Sequence, residues 1–277
     1  MNILFKTKQR PITIVIEVAT ASPQKIEVVV RDANKKNTKY TQRWSTVRGQ
    51  QKFYIRMPLS PYESVLSIYN RAVGNLPKGE DASFNVVSVD AISLKRKMDC
   101  VNWDNPRITD FVHFAQQFSE NAGILSAGQY PNGSTYISDH GNFRIDYFDD
   151  IRSKKGLLIP TPARISQSKG IIQVSKKHFK AMTVPMRLAI LLHEFSHFYL
   201  NNDMADETEA DLNGLLIYLA LGFPRIEAYQ SFLNTFKDTP TEQNKGRFDI
   251  LHQFITNFER DKFCTVNSHP DLQAAKR

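Results

Sequence analysis

Residues 191–197, Leu-Leu-His-Glu-Phe-Ser-His, hold the side chains best suited to chemistry in this chain. Two histidines four apart on an α-helix are separated by about 40° of rotation and about 6 Å of rise, so His193 and His197 can bring both imidazoles to one ion. Zinc takes neutral imidazole nitrogen readily, and a hydrolytic zinc site uses three protein ligands and leaves a position for water. Glu194 lies about 100° round the helix from His193. Its carboxylate would sit beside such an ion rather than on it, where it suits a general base. The preceding run, Leu188–Leu192, is wholly apolar. Two histidines and a carboxylate in a buried helix are costly unless they are paired or metal-bound.

A third ligand is expected from the acidic stretch that follows, Asp203 to Asp211. If the first helix ends near Leu200 and Asn201-Asn202-Asp203 forms a turn, a second helix from about Met204 folds back antiparallel. About that turn Glu207 faces His197. Asp211, one helical turn further on, faces His193 and can accept its other ring N–H, which fixes the tautomer. Asp203, Asp206 and Glu207 also suit a helix N-terminus, where negative charge meets the positive end of the helix dipole.

His-Glu-Phe-Ser-His followed by Glu-Thr-Glu-Ala-Asp resembles the HExxH and ExxAD pair of gluzincin-type zinc metallopeptidases. That resemblance implies His193, His197 and Glu207 as zinc ligands, Glu194 as catalytic base and Asp211 as their support. It spans about Pro106 to Glu259, and its specific part is His193–Asp211. The interval from His197 to Glu207 is shorter than in many gluzincins, which leaves Asp206 and Glu209 as alternatives to Glu207.

The elements that must position these residues occupy the second part of a chain of 277 residues. Of the 36 Lys+Arg and 28 Asp+Glu, residues 1–100 hold 17 and 8, and residues 101–277 hold 19 and 20. The basic excess therefore belongs to the N-terminal part, and points it toward an acidic protein surface or nucleic acid. Along the sequence the charges are not interleaved with aromatics. The two cysteines, Cys100 and Cys264, stand outside any CxxC pattern and read as free thiols. No membrane-spanning stretch and no secretory signal is visible.

An α+β fold with two domains is predicted: a basic antiparallel β-sandwich over 1–100 and a mainly helical zincin-like domain with a small mixed sheet over 101–277. Strands are expected at Ile12–Val18, Lys25–Arg31, Tyr40–Ser45, Lys52–Met57, Ser64–Asn70 and Phe84–Leu94, with turns at Asp32–Asn34 and Pro77–Asp81. Beyond the boundary near 95–105, apolar spacing predicts a helix from about Ile108 to Leu125, then strands at Phe143–Phe148 and Gly170–Ser175. Thr183 and Pro185 mark the start of the motif helix. Gly222-Phe223-Pro224 stops the next one, and two amphipathic helices follow over about Arg225–Phe236 and Arg247–Glu259. The resemblance to zincins implies that Ile171–Val174 is an edge strand along which an extended peptide lies.

The activity these residues imply is zinc-dependent hydrolysis of a peptide or protein substrate, with Glu194 as base. Tyr229, Arg247, His252 and His269 are candidates for stabilising the oxyanion, and His269-Pro270 resembles a substrate-side dipeptide of some gluzincins. A basic β module joined to a zincin also resembles the zincin-domain structural proteins of tailed, crAss-like bacteriophages. That second resemblance implies an assembly role near portal and tail, with synthesis in the cytoplasm and incorporation into the virion. It also implies homo-oligomer or neighbouring-subunit contacts through the N-terminal domain, and contact with packaged DNA.

Overall fold

The computed structural model describes residues 1–35, 37–71, 84–94, 100–237 and 241–260. The chain forms two compact units, Met1–Arg96 and Lys97–Arg277, and its class is α+β. The turn expected at Pro77–Asp81, together with Cys264, His269 and Pro270, lies outside the described residues. Among the described residues no helix is long and apolar enough to cross a membrane.

Unit 1 is antiparallel throughout: β1 (Asn2–Lys6), β2 (Ile12–Asp32), β3 (Lys39–Met57), β4 (Glu63–Asn70) and β5 (Phe84–Ser93). Four of the six expected strands merge into two, because β2 pairs with β3 along nearly its whole length. The gap expected between the strands ending at Val18 and starting at Lys25 forms only an irregularity in the register between Thr20 and Gln24. On its other side β2 pairs with β5 through residues 12–20 and with β4 through residues 26–32, which makes two arms on one continuous strand.

A side-chain contact shows how the arms lie. The guanidinium of Arg43 donates to the carbonyl of Tyr54, eleven residues along the same strand. An extended strand would separate those residues by roughly 36 Å, so β3 must bend sharply between them. Gly49, with φ of +68°, lies in that bend. Arg43 shares a face with Val28, its partner in register, so the bend closes on the apolar face. Ile14, Ile16 and Val18 of one arm and Ile26, Val28, Val30, Leu66 and Ile68 of the other all lie on it, almost wholly buried. The sandwich is thus one sheet folded over.

Unit 2 opens with α1 (Pro106–Asn121), where Asn105 caps the first turn by accepting from the Arg107 N–H at 3.0 Å. Strands β6 (Ser134–Ile137), β7 (Arg144–Phe148), β8 (Ala163–Ile165) and β9 (Ile172–Ser175) form a mixed sheet in the order β6-β7-β9-β8, with β7 and β9 parallel. The strand expected at the edge, β9, is therefore interior, and the three-residue β8 is the edge. Periodicity marks Ile172 and Val174 as buried but carries no information on which strand borders them. Five helices are built after or upon this sheet: α2 (Lys176–Ala181), α3 (Val184–Tyr199), α4 (Glu207–Ala220), α5 (Arg225–Lys237) and α6 (Glu242–Arg260).

Helix α3 is the centre of the unit. Every residue from Val184 to Leu192 is buried, which accounts for its apolar run. Phe195 stacks on Phe111 of α1 with ring centres 4.2 Å apart. The fully buried Arg187 donates to the carbonyls of Phe179 and Ser119, both at 2.7 Å, tying α3 to α2 and α1. Against α4 the contact is closer still: a Cβ built on Gly214 would lie 2.8 Å from the His193 nitrogen and 2.9 Å from the Leu192 carbonyl carbon. Only a residue without a side chain lets the backbones approach so closely. Alanine would gain about 1 kcal/mol in helix propensity, but the clash is with backbone that cannot rotate away. Gly214→Ala is expected to lower the unfolding free energy by about 1–3 kcal/mol, as measured by denaturant titration.

Candidate metal centre

The α3–α4 contact sets the geometry of the motif residues. His193 and His197 lie one turn apart on α3 with their Nε2 atoms 3.1 Å from one another. Glu207 is the first residue of α4, and its carboxylate oxygens lie 3.5 Å from His193 Nε2 and 3.6 Å from His197 Nε2. The three donor atoms fall within 4.8 Å of one another, close enough to bind one metal ion.

Each imidazole is held through its other nitrogen. His193 Nδ1 lies 2.9 Å from Asp211 Oδ1, and His197 Nδ1 lies 2.9 Å from the Met204 carbonyl. Both oxygens accept only, so each Nδ1 presents its N–H to them and each Nε2 faces Glu207; without metal the extra proton on His193 sits at Nε2 and donates to that carboxylate, and its loss leaves a lone pair there. With that proton displaced, two lone pairs and a carboxylate converge on one point, a donor set that suits a cation.

Arg247 of α6 completes the arrangement, with Nη2 3.1 Å from Glu207 Oε2 and Nε 2.8 Å from Asp211 Oδ2. It thereby orients the ligand carboxylate and the carboxylate behind His193 together. Counted with both imidazoles neutral, as ligation requires, the formal charges of Glu194, Glu207, Asp211 and Arg247 sum to two negative, which a divalent ion neutralises.

The other acidic candidates do not reach the histidines. Asp206 is the N-cap of α4, accepting from the Thr208 and Glu209 N–H groups at 2.8 and 2.9 Å. Glu209 is buried and accepts from the Asn202 backbone and side-chain nitrogens at 3.0 and 2.9 Å, which pins the turn between α3 and α4. That capping is why α4 starts at Glu207 and not near Met204. Glu194 is 8% exposed between α3 and β8, where its carboxylate accepts from the Ile165 N–H. Burial pushes its pKa above the ordinary carboxylate value, against the pull of the two histidines.

These groups form the floor of a cleft of about 280 Å³, walled on one side by Thr161–Ile165 and Gln167 and on the other by Phe232, Asn244 and Arg247. Of the four oxyanion candidates named from the sequence, Arg247 is at the cleft. Tyr229 and His252 pair with each other at 2.9 Å and do not line it. Sequence reasoning missed the Met204 carbonyl, the Ile165 N–H and the clamping role of Arg247. No family model, curated protein or solved structure matches this chain.

Without metal, burial opposes a charge on His193, but Asp211, Glu207 and Glu194 outweigh it and raise its pKa from 6.5 to about 10. The Glu207 carboxyl is held far below its ordinary value, chiefly by hydrogen bonds to the two histidines. The signs for stability follow. The His193 contribution is fully present below pH 6.5 and is lost as pH rises through about 10. The Glu207 contribution is present above pH 4.5 and is lost as pH falls toward its depressed folded value. A metal must displace the His193 proton, so binding near pH 7 should release about one proton per chain, measurable by calorimetry in buffers of different ionisation enthalpy. Affinity should rise about tenfold per pH unit until His193 is neutral. Asp211→Asn and Arg247→Met should each weaken metal binding about 10–100-fold, read by competition with a chromogenic chelator, while the fold is retained.

Proposed function

We propose that unit 2 is a zinc-dependent metallopeptidase domain that hydrolyses a peptide or protein substrate. The observation that carries this reading is the convergence of His193, His197 and Glu207 on one point of the cleft floor, with the buried Glu194 beside it. Two imidazoles and a carboxylate are a common donor set for catalytic zinc. The charge balance of the cluster also fits a divalent ion. Bound there, zinc would supply Lewis-acid polarisation of a carbonyl and lower the pKa of water.

The chain's own residues then divide the remaining work. Glu194, its affinity for protons raised by burial, takes the proton of the attacking water and can hand it to the leaving amine. The Ile165 N–H holds that carboxylate in place. Asp211 and the Met204 carbonyl keep both imidazoles in the ligating tautomer. Arg247 keeps Glu207 turned toward the histidines and presents a cationic wall to the cleft, where developing negative charge would be favoured.

Substrate is held by the sheet edge. In β8 the backbone groups of Arg164 face β9, so those of Ala163 and Ile165 turn to the opposite side, where the cleft lies. With the Ile165 N–H on Glu194 and the Ala163 carbonyl accepting from the Thr161 hydroxyl, the Ala163 N–H and the Ile165 carbonyl are the groups through which an extended peptide could add to β8 by main-chain pairing.

Loss of the base separates binding from chemistry. Glu194→Gln should retain one zinc per chain by elemental analysis, yet lower hydrolysis of a generic casein or peptide substrate about 10²–10⁴-fold. Chelation of the wild type should abolish cleavage, and added zinc should restore it. Absence of metal from the purified wild type, or unchanged cleavage in Glu194→Gln, would overturn this reading.

A further inference from the structure

Unit 1 carries the basic excess of the chain, and its strand register resolves where part of that charge is displayed. β3 has five cations, Lys39, Arg43, Arg48, Lys52 and Arg56, and no carboxylate. Side chains alternate across a strand, and every even-numbered residue of β3 from 44 to 56 is exposed, whereas Val47, Ile55 and Met57 on the other side are buried. The outward side therefore reads Trp-Thr-Arg-Gln-Lys-Tyr-Arg. Along the sequence the cations and aromatics look scattered, but in the strand they form one interleaved stripe.

Two features make this more than a solvated face. Trp44 and Tyr54 are 58% and 56% exposed, unusual for large aromatics in a sheet with a filled core. The ammonium of Lys25 sits 5.2 Å from the centre of the Trp44 ring, adding a cation beside a surface that can stack. The positive charge is only partly offset along the stripe, where Glu27 lies opposite Trp44 in register and pairs with Arg71. Glu17 pairs with Lys52 at 3.6 Å, but Arg48 and Arg56 make no ion pair among the described residues. Among the described residues β3 is also an edge strand along its length, with no neighbouring strand on its outer border.

We propose that the outward side of β3 binds single-stranded nucleic acid. Phosphates would be met by Arg48, Arg56 and Lys25, and unpaired bases would stack on Trp44 and Tyr54. An acidic protein would satisfy the cations but gives no reason for two exposed flat rings between them. Duplex would satisfy the cations but keeps its bases out of reach of stacking. The stripe follows the outside of the β3 bend, so the strand bound there is flexible and single, not a stiff helix. This inference is independent of the cleft in unit 2.

The test uses the full chain and a fluorescein-labelled oligothymidylate of about 15 nucleotides, followed by anisotropy at roughly 50 mM salt and above. Binding should weaken steeply with salt and should quench tryptophan fluorescence. Trp44→Ala and Tyr54→Ala should each weaken it about tenfold. Trp44→Ala should also remove the quench, and Arg48→Glu with Arg56→Glu should abolish binding. All these side chains are exposed, and an unchanged unfolding midpoint would show that the fold is retained. The wild-type quench is a readout independent of any variant. Three outcomes overturn the proposal: no binding at low salt; equal affinity for the matching duplex; or competition by inorganic polyphosphate with no effect of the two aromatic substitutions, which would mark a general polyanion surface.

Discussion

The contact between the backbones of α3 and α4 at Gly214 governs the rest of the candidate metal centre. Because the two helices meet at less than the width of a side chain, Glu207 and Asp211 reach the rings of His193 and His197 from the next helix. A methyl group there would displace both carboxylates at once. The turn joining the helices is held with matching care: Asp206 caps α4, Glu209 grips the Asn202 nitrogens, and Asn201 donates to the Asp206 carbonyl at 2.8 Å. The acidic residues in this stretch thus have separate tasks, and only one of the three ligand candidates faces the histidines.

Electrostatics explains why such a cluster is stable enough to exist and why it calls for a cation. Three carboxylates gathered against buried imidazoles would repel one another without Arg247, which crosses from α6 to touch two of them. The guanidinium compensates only part of the charge. In the metal-free chain the deficit appears as a proton held on His193 well into the alkaline range. A proton and a metal ion thus compete for the same electron pair, which links the acid–base behaviour of the site to its occupancy. Glu194 is the third carboxylate of this balance, but it is enclosed between α3 and β8, where burial favours its taking up a proton.

Unit 1 follows a different economy of structure. Its two long strands serve both layers, so the layers are joined by continuous backbone instead of by connections, and the Arg43 contact to Tyr54 ties the fold across the bend. The apolar side chains fill the inside of that bend, and the outward side of β3 presents Arg48, Lys52 and Arg56 with Trp44 and Tyr54 among them. A charge excess that is diffuse when counted along the chain thereby becomes a directed surface.

Much of the chemistry could be read locally, because it depends on residues a few positions apart. The i, i+4 spacing of His193 and His197 places both rings on one face of any α-helix, and Thr183, Pro185 and Gly222 mark the helix ends through backbone hydrogen bonding and φ preference alone. Antiparallel folding about a short turn was likewise enough to pair Glu207 with the histidines and Asp211 with His193. Excluding Asp206 and Glu209 as alternatives to Glu207 was not open to that reasoning, since it turns on which carboxylate is consumed by capping and by the loop. The identity of the edge strand and the place of Arg247 depend on elements far apart in the chain. Likewise, Ile12–Val18 and Lys25–Arg31 read as separate strands until a partner strand continues past the gap between them. Spacing within one element fixes angles about its axis, whereas contacts between elements depend on packing that no single stretch of sequence contains.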